Sequence, residues 1–504
     1  MTQKNKFDIC VIGGGPSGFA AAMRGLDLGK SVVLIEKKQL GGAGIFNGAL
    51  SSKTLWELSE RYTNTQTNRH GFTVYDSELN FNAIINEMNR AVNDRYTQLK
   101  TQADYYVRKG RLHVIIGKAV FKDDHTVEVF NTAGERNETV TGEKIVVAVG
   151  SKPRLLPHIE VDEKNILTSD GLGNLKEFPQ SMVILGAGVI GCEFATIFSN
   201  FGKTKVYLID RADRILPFED EDISNTVSAN LEEKGVHIHR NAQLIRMEKS
   251  HNEVEYELKF NDGRTEIHTV ENALISVGRV PNSNNIGLEN TGIELSERGH
   301  CIDESTKTSV DHIYAVGDFT ADIALVNIAE LEGRHAIEKM YGLTHASLKY
   351  NNISTIMFLN PEVAGVGLNE SQARKEGIPY KMAKMKYKYV NRAIAMRKSK
   401  GFFKLIVSND DEMKVLGMRV LGEHASSAVE AIALLISMDG TVHDLVELVH
   451  PHPSIPEGLQ ECARMLSDKS IIKPEVFNMD LQCYSVDEQG RIEHLHKRNK
   501  ELAG

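Results

Sequence analysis

Two glycine triplets in this sequence have the spacing of a phosphate-binding turn. In the first, Gly13, Gly15 and Gly18 follow an apolar run that begins at Phe7, and Glu36 ends the next apolar run. Such glycines permit a tight turn, a close approach of the backbone to a pyrophosphate, and close packing of helix on strand. The phosphates then meet the N–H groups and positive dipole end of the helix. Strand, glycine turn, helix and terminal acid together predict a dinucleotide site.

The same pattern occurs a second time along the chain. Gly186, Gly188 and Gly191 follow an apolar run that begins at Met182, and Asp210 closes the next strand. Two complete folds of this kind predict two dinucleotides, and a protein that holds two usually transfers a hydride between them. The alternative is that the second fold serves only as a scaffold.

The cysteines do not form a redox or metal-binding pattern. They are Cys10, Cys192, Cys301, Cys462 and Cys483, and no two of them have CxxC or CxxxxC spacing. Cys10 lies within an apolar strand and Cys192 at the start of a helix, where buried packing is the simpler interpretation. We therefore predict no metal site and no redox thiol.

The elements around these motifs predict an α/β chain of several domains, because 504 residues exceed what one hydrophobic core supports. We expect two Rossmann-like dinucleotide-binding domains followed by a C-terminal α+β domain. The predicted limits are 1–157 with 283–347 for the first domain, 158–282 for the second, 348–472 for the third, and 473–504 for a polar tail or exposed helix.

One further feature recurs, an apolar strand that stops at a glycine. It occurs in KIVVAVGSKP at Gly150, in NALISVGRVPN at Gly278, and in DHIYAVGDFT, where Asp318 lies just past a strand of buried type.

Composition and charge restrict the possible partners. The apolar and charged fractions, 41% and 25%, are those of an ordinary soluble protein. A formal charge of −9 argues against a nucleic-acid or anionic-membrane partner. The longest apolar stretches, such as residues 431–438, are far shorter than the ~20 residues of a membrane helix. We expect a cytoplasmic protein without a membrane span.

In their order, the motifs resemble those of the flavin-dependent pyridine nucleotide-disulfide oxidoreductases, the group that contains dihydrolipoamide dehydrogenase and soluble transhydrogenase. The matching motifs, spread over about residues 5–470, are GGGPSG with Glu36, GG plus SSK at 41–53, AVG at 148–150, GAGVIGCE at 186–193, GRVPN at 278–282, YAVGD at 314–318 and HPHPSIPE at 450–457. The resemblance implies FAD in the first domain, NAD(H) in the second, and a homodimer formed through the third.

The resemblance also implies roles for single residues. The FAD site would contain Gly13, Gly15, Gly18, Glu36, Gly41, Gly42, Lys53, Gly150 and Asp318, and the nicotinamide site Gly186, Gly188, Gly191, Glu193, Asp210 and Gly278. Glu36 would bind the adenosine ribose and Asp318 a ribityl hydroxyl. A helix starting near Leu325 would direct its N-terminus at the flavin N1–C2=O edge, which favours reduced flavin. Lys53 and Glu193 would pair beside flavin N5.

Asp210 favours NAD over NADP, because a carboxylate accepts hydrogen bonds from a ribose and repels a 2′-phosphate. Arg211 and Arg214 follow closely and could weaken this preference, so NADP(H) is the less favoured alternative.

The strip GGAGIFNGALSSK at residues 41–53 departs from the family pattern. In the disulfide enzymes it carries two cysteines five residues apart, whereas Gly44 and Ala49 occupy those positions here and Ser51 replaces a proline. Neither Gly44 nor Ala49 can accept an electron, so dithiol chemistry by the usual route is excluded. The soluble transhydrogenases likewise lack this disulfide.

HPHPSIPE retains residues that match the family's acid–base pair, His452 and Glu457. In the family the carboxylate orients the imidazole, which exchanges a proton with the substrate at the other subunit's flavin. The alternative is that the two residues only pack at the dimer seam.

From these observations we predict a dimeric FAD enzyme that oxidises NAD(P)H and passes electrons from flavin directly to a small-molecule, non-thiol acceptor. A quinone, a dye-like carrier, oxygen or a second nicotinamide would each fit. The alternatives are a soluble transhydrogenase-like enzyme and a non-catalytic flavin-binding pseudoenzyme. The retained Lys53, Glu193, His452 and Glu457 count against the pseudoenzyme.

Overall fold

The computed structural model describes residues 5–66, 71, 73–75, 77–321 and 323–495. Its strands are β1 (Lys6–Ile12), β2 (Val32–Glu36), β3 (Leu112–Ile116), β4 (Lys118–Phe121), β5 (Thr126–Phe130), β6 (Arg136–Val147), β7 (Ser151–Pro153), β8 (Ile166–Thr168), β9 (Ser181–Leu185), β10 (Lys205–Ile209), β11 (His237–His239), β12 (Ala242–Ser250), β13 (Glu253–Phe260), β14 (Thr265–Val270), β15 (Asn272–Ile275), β16 (Arg279–Pro281), β17 (Asp303–Glu304), β18 (Lys307–Thr308), β19 (Ile313–Ala315), β20 (Ser354–Met357), β21 (Val363–Gly367), β22 (Tyr380–Lys386), β23 (Phe402–Ser408), β24 (Val415–Leu421), β25 (Leu481–Val486) and β26 (Ile492–His494). Its helices are α1 (Pro16–Asp27), α2 (Gly42–Ile45), α3 (Ala49–Gln66), α4 (Phe81–Arg108), α5 (Val189–Phe201), α6 (Glu221–Glu233), α7 (Val326–Met340), α8 (Glu370–Glu376), α9 (Asn391–Ala395), α10 (Val429–Ser437), α11 (Val442–Glu447) and α12 (Glu457–Leu466). The predicted α/β class is confirmed.

The chain forms two compact units. The first comprises residues 1–186, 244–257 and 266–348, and the second comprises 187–243, 258–265 and 349–504. The domain limits predicted from the sequence separate the expected binding domains, whereas these two units are groups of residues that pack together. The predicted limits stay a prediction.

The main sheet of the first unit has the strand order β17-β18-β19-β6-β1-β2-β3, with β4 and β5 attached beside β6. β1 pairs in parallel with both β2 and β6, as expected of an apolar strand that precedes a crossover helix. Ile9 and Val11 of β1 belong to one buried cluster, whereas Cys10 and Ile12 belong to another. The alternation shows that both faces of this sheet are covered, so the carboxyl ends of its strands are firmly positioned.

Two smaller sheets complete this part of the first unit. β15 pairs in parallel with β9 and with β8, which places the ends of the second glycine fold's strands side by side. β16 pairs antiparallel with β7.

In the second unit, β10 and β11 pair in parallel. A seven-stranded sheet has the order β20-β21-β24-β23-β22-β25-β26, and every neighbouring pair is antiparallel. Its core includes Phe403, Leu405, Ile432 and Leu459, contributed by the sheet and by α10 and α12. A separate antiparallel sheet with helices matches the predicted C-terminal α+β domain.

The chain end differs from its prediction. Residues from 473 onward were expected to form a polar tail or an exposed helix, but β25 and β26 extend the sheet there. Leu481, Cys483 and Val486 are 2%, 3% and 1% exposed. Leu481 and Cys483 belong to the core on one face of that sheet, and Val486 belongs to a smaller buried cluster with Tyr380 and Ile406. The overall polar composition conceals these apolar positions. Residues 496–504 lie outside the described part of the chain.

A buried lysine network stabilises the second unit. Lys404 is 1% exposed, and its Nζ lies 2.9 Å from Asp220, 2.8 Å from Asp222 and 2.8 Å from Glu370. Burial alone would lower the pKa of Lys404, but the three carboxylates outweigh it and raise that pKa. The Tyr484 hydroxyl of β25 also donates to Glu370, so the C-terminal strand is attached to the network.

Candidate functional site

The first glycine turn has the geometry that its spacing predicts. Gly13 has a φ of +106°, and a Cβ at that position would lie 2.2 Å from the Ala148 carbonyl oxygen. A Cβ at Gly18 would lie 1.8 Å from the Gly13 oxygen, so α1 packs against the turn only with glycine there. Gly15 caps α1, and a Cβ there would meet no described atom within 4 Å. The helix N-terminus therefore has room for a phosphate group.

Glu36 lies at the end of β2, beside this turn. The Gly14 N–H donates to Glu36 Oε2 at 2.7 Å, and the Lys38 N–H donates to Oε1 at 2.8 Å. Each carboxylate oxygen keeps a second lone pair for a ribose hydroxyl. A cleft of about 750 Å³ opens at this strand end, lined among others by Lys37, Lys38, Gly117, Lys118, Phe130 and Glu289. Its volume and excess of lysines suit an anionic nucleotide.

The second glycine turn repeats the first. Gly186 has a φ of +102°, and a Cβ on it would lie 2.7 Å from the Ser276 carbonyl oxygen. Gly188 caps α5, with space for a Cβ that would touch none of the described atoms within 4 Å, and Gly191 is buried on that helix. The Ala187 N–H donates to Asp210 Oδ2 at 2.7 Å, as the Gly14 N–H does to Glu36. Each turn has a glycine with positive φ and a backbone N–H that donates to the acid at the next strand end. This shared geometry supports two nucleotide sites.

The strip at residues 41–53 forms α2 and the start of α3. Gly41 has a φ of +111°, and its N–H donates to the Gly14 oxygen at 2.7 Å, which fastens the strip to the first glycine turn. A Cβ at Gly44 would lie 2.6 Å from Pro16 Cγ, closer than real Cβ contacts allow. Ala49 is the first residue of α3. Position 44 therefore has no room for a cysteine unless Pro16 moves.

Lys53 and Glu193 belong to different units. Lys53 lies in the second turn of α3, with its Nζ 3.4 Å from Ser52 Oγ. Glu193 lies on α5, is 4% exposed, and accepts a hydrogen bond from the Phe358 N–H at 3.1 Å. Their pairing stays a prediction.

Asp318 and Gly150 both follow strands of the main sheet. Asp318 directly follows Gly317, whose N–H donates to Glu332 Oε2 of α7 at 2.6 Å. α7 begins at Val326 with Leu325 as its cap, as the sequence predicts. The order of these elements brings the AVG and YAVGD motifs to adjacent strand ends, since β19 and β6 pair in parallel.

His452 and Glu457 form a hydrogen-bonded pair. His452 Nδ1 lies 2.7 Å from Glu457 Oε1, and the Ser454 N–H donates to Glu457 Oε2 at 2.7 Å. The imidazole is 61% exposed while the carboxylate is 26% exposed. The carboxylate is thus held by the backbone and contacts Nδ1 of an exposed imidazole, an arrangement that can orient a histidine.

All five cysteines are free and buried. Burial raises the pKa of Cys10, of Cys301 and of Cys483 to about 12, and it also raises the pKa of Cys192 and of Cys462. Thiols with these properties are protonated and unreactive near neutral pH. The prediction of buried packing for Cys10 and Cys192 is confirmed.

One group of potential metal ligands occurs among the described residues, Asp124, His125 and His312. The two imidazole rings stack 3.8 Å apart with planes 6° from parallel, so one ion cannot lie in both ring planes. His125 Nδ1 and His312 Nε2 each lie within 3 Å of a backbone carbonyl oxygen, of Gly142 and Asp124 respectively. These contacts explain His125 and His312 as structural residues rather than metal ligands.

Comparison with known proteins identifies the family. Residues 7–333 match the pyridine nucleotide-disulphide oxidoreductases, and residues 353–463 match the dimerisation domain of the same group. The chain belongs to this family. It is 33% identical to a dihydrolipoyl dehydrogenase from Bacillus subtilis over 476 residues, which are 92% of this chain and 99% of the relative.

Solved structures of oxidoreductases in this family share the fold. The HOCl-induced flavoprotein disulfide reductase RclA from Escherichia coli, solved as a Cu(II) complex, has a TM-score of 0.81 and 28% identity, covering 92% of this chain and 100% of that one. LpdA from Mycobacterium tuberculosis has a TM-score of 0.83 and 24% identity, covering 92% and 99%, and shows the fold alone. The chain is therefore an oxidoreductase of the dihydrolipoamide dehydrogenase fold, and its dimerisation domain indicates a homodimer.

Family members use FAD and NAD(H), and the glycine turns described above fit such nucleotides. Within the described ranges, no helix has both the length and the apolar character to cross a membrane. Sequence reasoning missed Lys37, Lys38, Gly117 and Lys118 in the cleft beside Glu36. The lysine pair directly after Glu36 was the available signal.

Proposed function

We propose that this chain is an FAD-dependent NAD(P)H oxidoreductase that passes electrons from flavin directly to a non-thiol small molecule. The observation that carries the proposal is the strip at residues 41–53, where Gly44 and Ala49 replace the family's two cysteines. Pro16 occupies the space that a side chain at position 44 would need, so the packing around the strip fits glycine and not a cysteine. The buried cysteines elsewhere offer no substitute relay.

The chain's own residues would hold the two nucleotides. Gly15 and the N-terminus of α1 would bind the FAD pyrophosphate, Glu36 the adenosine ribose and Asp318 the ribityl chain. Gly188 and Asp210 would do the same for NADH, whose ribose suits a carboxylate better than the NADPH phosphate does. Bound FAD would supply the two-electron carrier between nicotinamide and acceptor.

The His452–Glu457 pair favours an acceptor that takes up protons. A quinone fits, because NADH, one proton and a quinone give NAD⁺ and a hydroquinone, and an oriented imidazole can deliver a proton. Hydride transfer to a second nicotinamide needs no such donor, so the intact hydrogen bond at 2.7 Å favours a quinone-type acceptor over transhydrogenation.

Anaerobic titration and stopped-flow kinetics test the proposal. The protein should be reduced by two electrons per subunit, whereas a disulfide enzyme takes four because flavin and disulfide each hold a pair. NADH should reduce the flavin faster than NADPH does. Reoxidation by quinones should be faster than by lipoamide or thio-NAD. Uptake of four electrons, or rapid reoxidation by lipoamide, would overturn the proposal.

Substitution of the imidazole separates the two half-reactions. His452→Ala should leave reduction by NADH unchanged and slow reoxidation by quinone about a hundredfold or more, as expected when a general acid is lost. Glu457→Gln should show the same selectivity with a smaller effect. His443→Ala removes an exposed histidine of α11 and is the matched control. If His452→Ala reoxidises at the wild-type rate with every proton-coupled acceptor, the pair serves packing instead.

A further inference from the structure

Three Val-Gly-X turns in the first unit share one design. Strands β6, β15 and β19 are each followed by a Val-Gly pair, and the glycines, Gly150, Gly278 and Gly317, have φ values of +64°, +100° and +70°. The residues directly after these glycines are Ser151, Arg279 and Asp318. A positive φ at the preceding glycine turns the chain sharply at each strand end.

The three side chains meet in one hydrogen-bonded chain. Ser151 Oγ donates to Asp318 Oδ2 at 2.5 Å, and Arg279 Nε donates to Ser151 Oγ at 2.7 Å. A second guanidinium nitrogen of Arg279 donates to the Ser151 carbonyl oxygen at 2.9 Å. The antiparallel pairing of β16 with β7, which sets Pro281 opposite Ser151, holds the two segments in register.

The direction of these bonds is fixed by chemistry. Arg279 can only donate, so the single Ser151 proton must point to Asp318. Arg279 Nε also lies 3.9 Å from Asp318 Oδ2. Ser151 thus engages Oδ2 directly, and Arg279 engages it through Ser151, which restricts the orientation of the Asp318 carboxylate.

We propose that Ser151 and Arg279 are positioning residues that hold the Asp318 carboxylate in the orientation in which it accepts from a hydroxyl of the flavin's polyol chain. The inference rests on the proposed function, because it requires that Asp318 binds FAD. The proposal explains why the strand ending is repeated, because each of the three endings supplies one residue of the hydrogen-bonded chain. Arg279 contributes through Ser151, and it needs two hydrogen-bond donors at fixed angles to do so.

Titration of FAD into flavin-stripped, full-length protein tests this assignment by a readout independent of turnover. Ser151→Ala and Arg279→Gln should each weaken FAD binding roughly tenfold to a hundredfold, the range for hydrogen bonds to charged groups. Arg279→Lys should resemble Arg279→Gln, since an ammonium group cannot donate in the same fork. Ser151→Thr, which retains the hydroxyl, should stay near the wild-type affinity.

The double variant Ser151→Ala/Arg279→Gln decides whether the residues act as a unit. Its FAD affinity should be within about threefold of the weaker single variant, because Arg279 acts through the Ser151 hydroxyl. Asp170→Asn is the matched control: burial raises the pKa of Asp170 and the charge of Arg279 opposes that rise, but Asp170 takes no part in the chain of bonds. It should retain wild-type FAD affinity. Thermal melts of the flavin-free variants monitor folding.

Two results would overturn the assignment. One is an Arg279→Gln variant that folds and binds FAD like the wild type, and the other is a double variant whose losses multiply. If either result is found in a protein whose flavin NADH still reduces, the positioning role of Ser151 and Arg279 is rejected and the proposed function is not. A wild-type protein that neither binds FAD nor can be reconstituted with it would refute the proposed function itself.

Discussion

Restoring the missing cysteines should damage the protein rather than convert it into a dithiol enzyme. In Gly44→Cys the new Cβ would lie 2.6 Å from Pro16 Cγ, 3.4 Å from Pro16 Cδ and 3.6 Å from Val326 Cγ2. The proline ring cannot rotate away, and overpacking of this kind costs about 1–3 kcal/mol of unfolding free energy. We expect that loss in Gly44→Cys and a similar loss in Gly44→Ala, which adds the Cβ without the thiol.

Ala49→Cys is the matched control, because Ala49 already carries a Cβ and begins α3. It should change the unfolding free energy by no more than about 0.5 kcal/mol. Denaturant unfolding measures these stabilities, and NAD⁺-dependent oxidation of dihydrolipoamide measures gain of function. The double variant Gly44→Cys/Ala49→Cys should show no such oxidation. A double variant with wild-type stability that takes up four electrons would refute the steric argument.

Three further predictions concern Glu36, Lys53 and Lys404. Glu36→Ala should weaken FAD retention tenfold or more, roughly the value of charge-assisted hydrogen bonds, whereas unchanged affinity in a flavin titration would contradict the role of Glu36. Lys53→Ala should slow flavin reduction by NADH roughly a hundredfold while FAD content falls little, and stopped-flow rates equal to wild type would reject the predicted pairing with Glu193. Lys404→Met should lower the unfolding free energy by about 3–5 kcal/mol, because it leaves buried carboxylates without a cation. A loss below about 1 kcal/mol in denaturant unfolding would show that the network contributes little to stability.

Much of the fold could be predicted because its strongest signals are local. β1 and β9 each begin one residue earlier than the predicted apolar runs at Phe7 and Met182. These strands are apolar and bounded by glycine or polar residues, so the pattern and the tertiary structure agree. β25 was missed because its few buried residues lie within a segment that is polar overall. The segment becomes a strand by pairing with the edge of β22, and the sequence does not show that distant contact.

The candidate site was predictable where one motif contains its whole geometry. The Gly14–Glu36 and Ala187–Asp210 bonds each lie within a single glycine fold, and the sequence had already assigned each acid to the same fold as its glycines. Contacts between distant segments gave no such signal. Lys404 meets Asp220, which lies 184 positions earlier in the chain, and periodicity in a sequence carries no information about that partnership.

The strip at residues 41–53 shows how a chain of this family can lose its thiols and keep its nucleotide fold. Its attachments are made by backbone groups: the Gly41 N–H donates to Gly14 at 2.7 Å, and the Phe46 N–H donates to Gly42 at 3.1 Å. The Gly48 carbonyl accepts from Ser52 Oγ at 2.7 Å. None of these bonds uses a side chain at position 44 or 49, so the strip is held in place with Gly44 and Ala49 at those positions. The hydrogen-bonded His452–Glu457 pair is the group to which the proposed function assigns protonation of the acceptor, and the half-reaction kinetics of His452→Ala test that assignment.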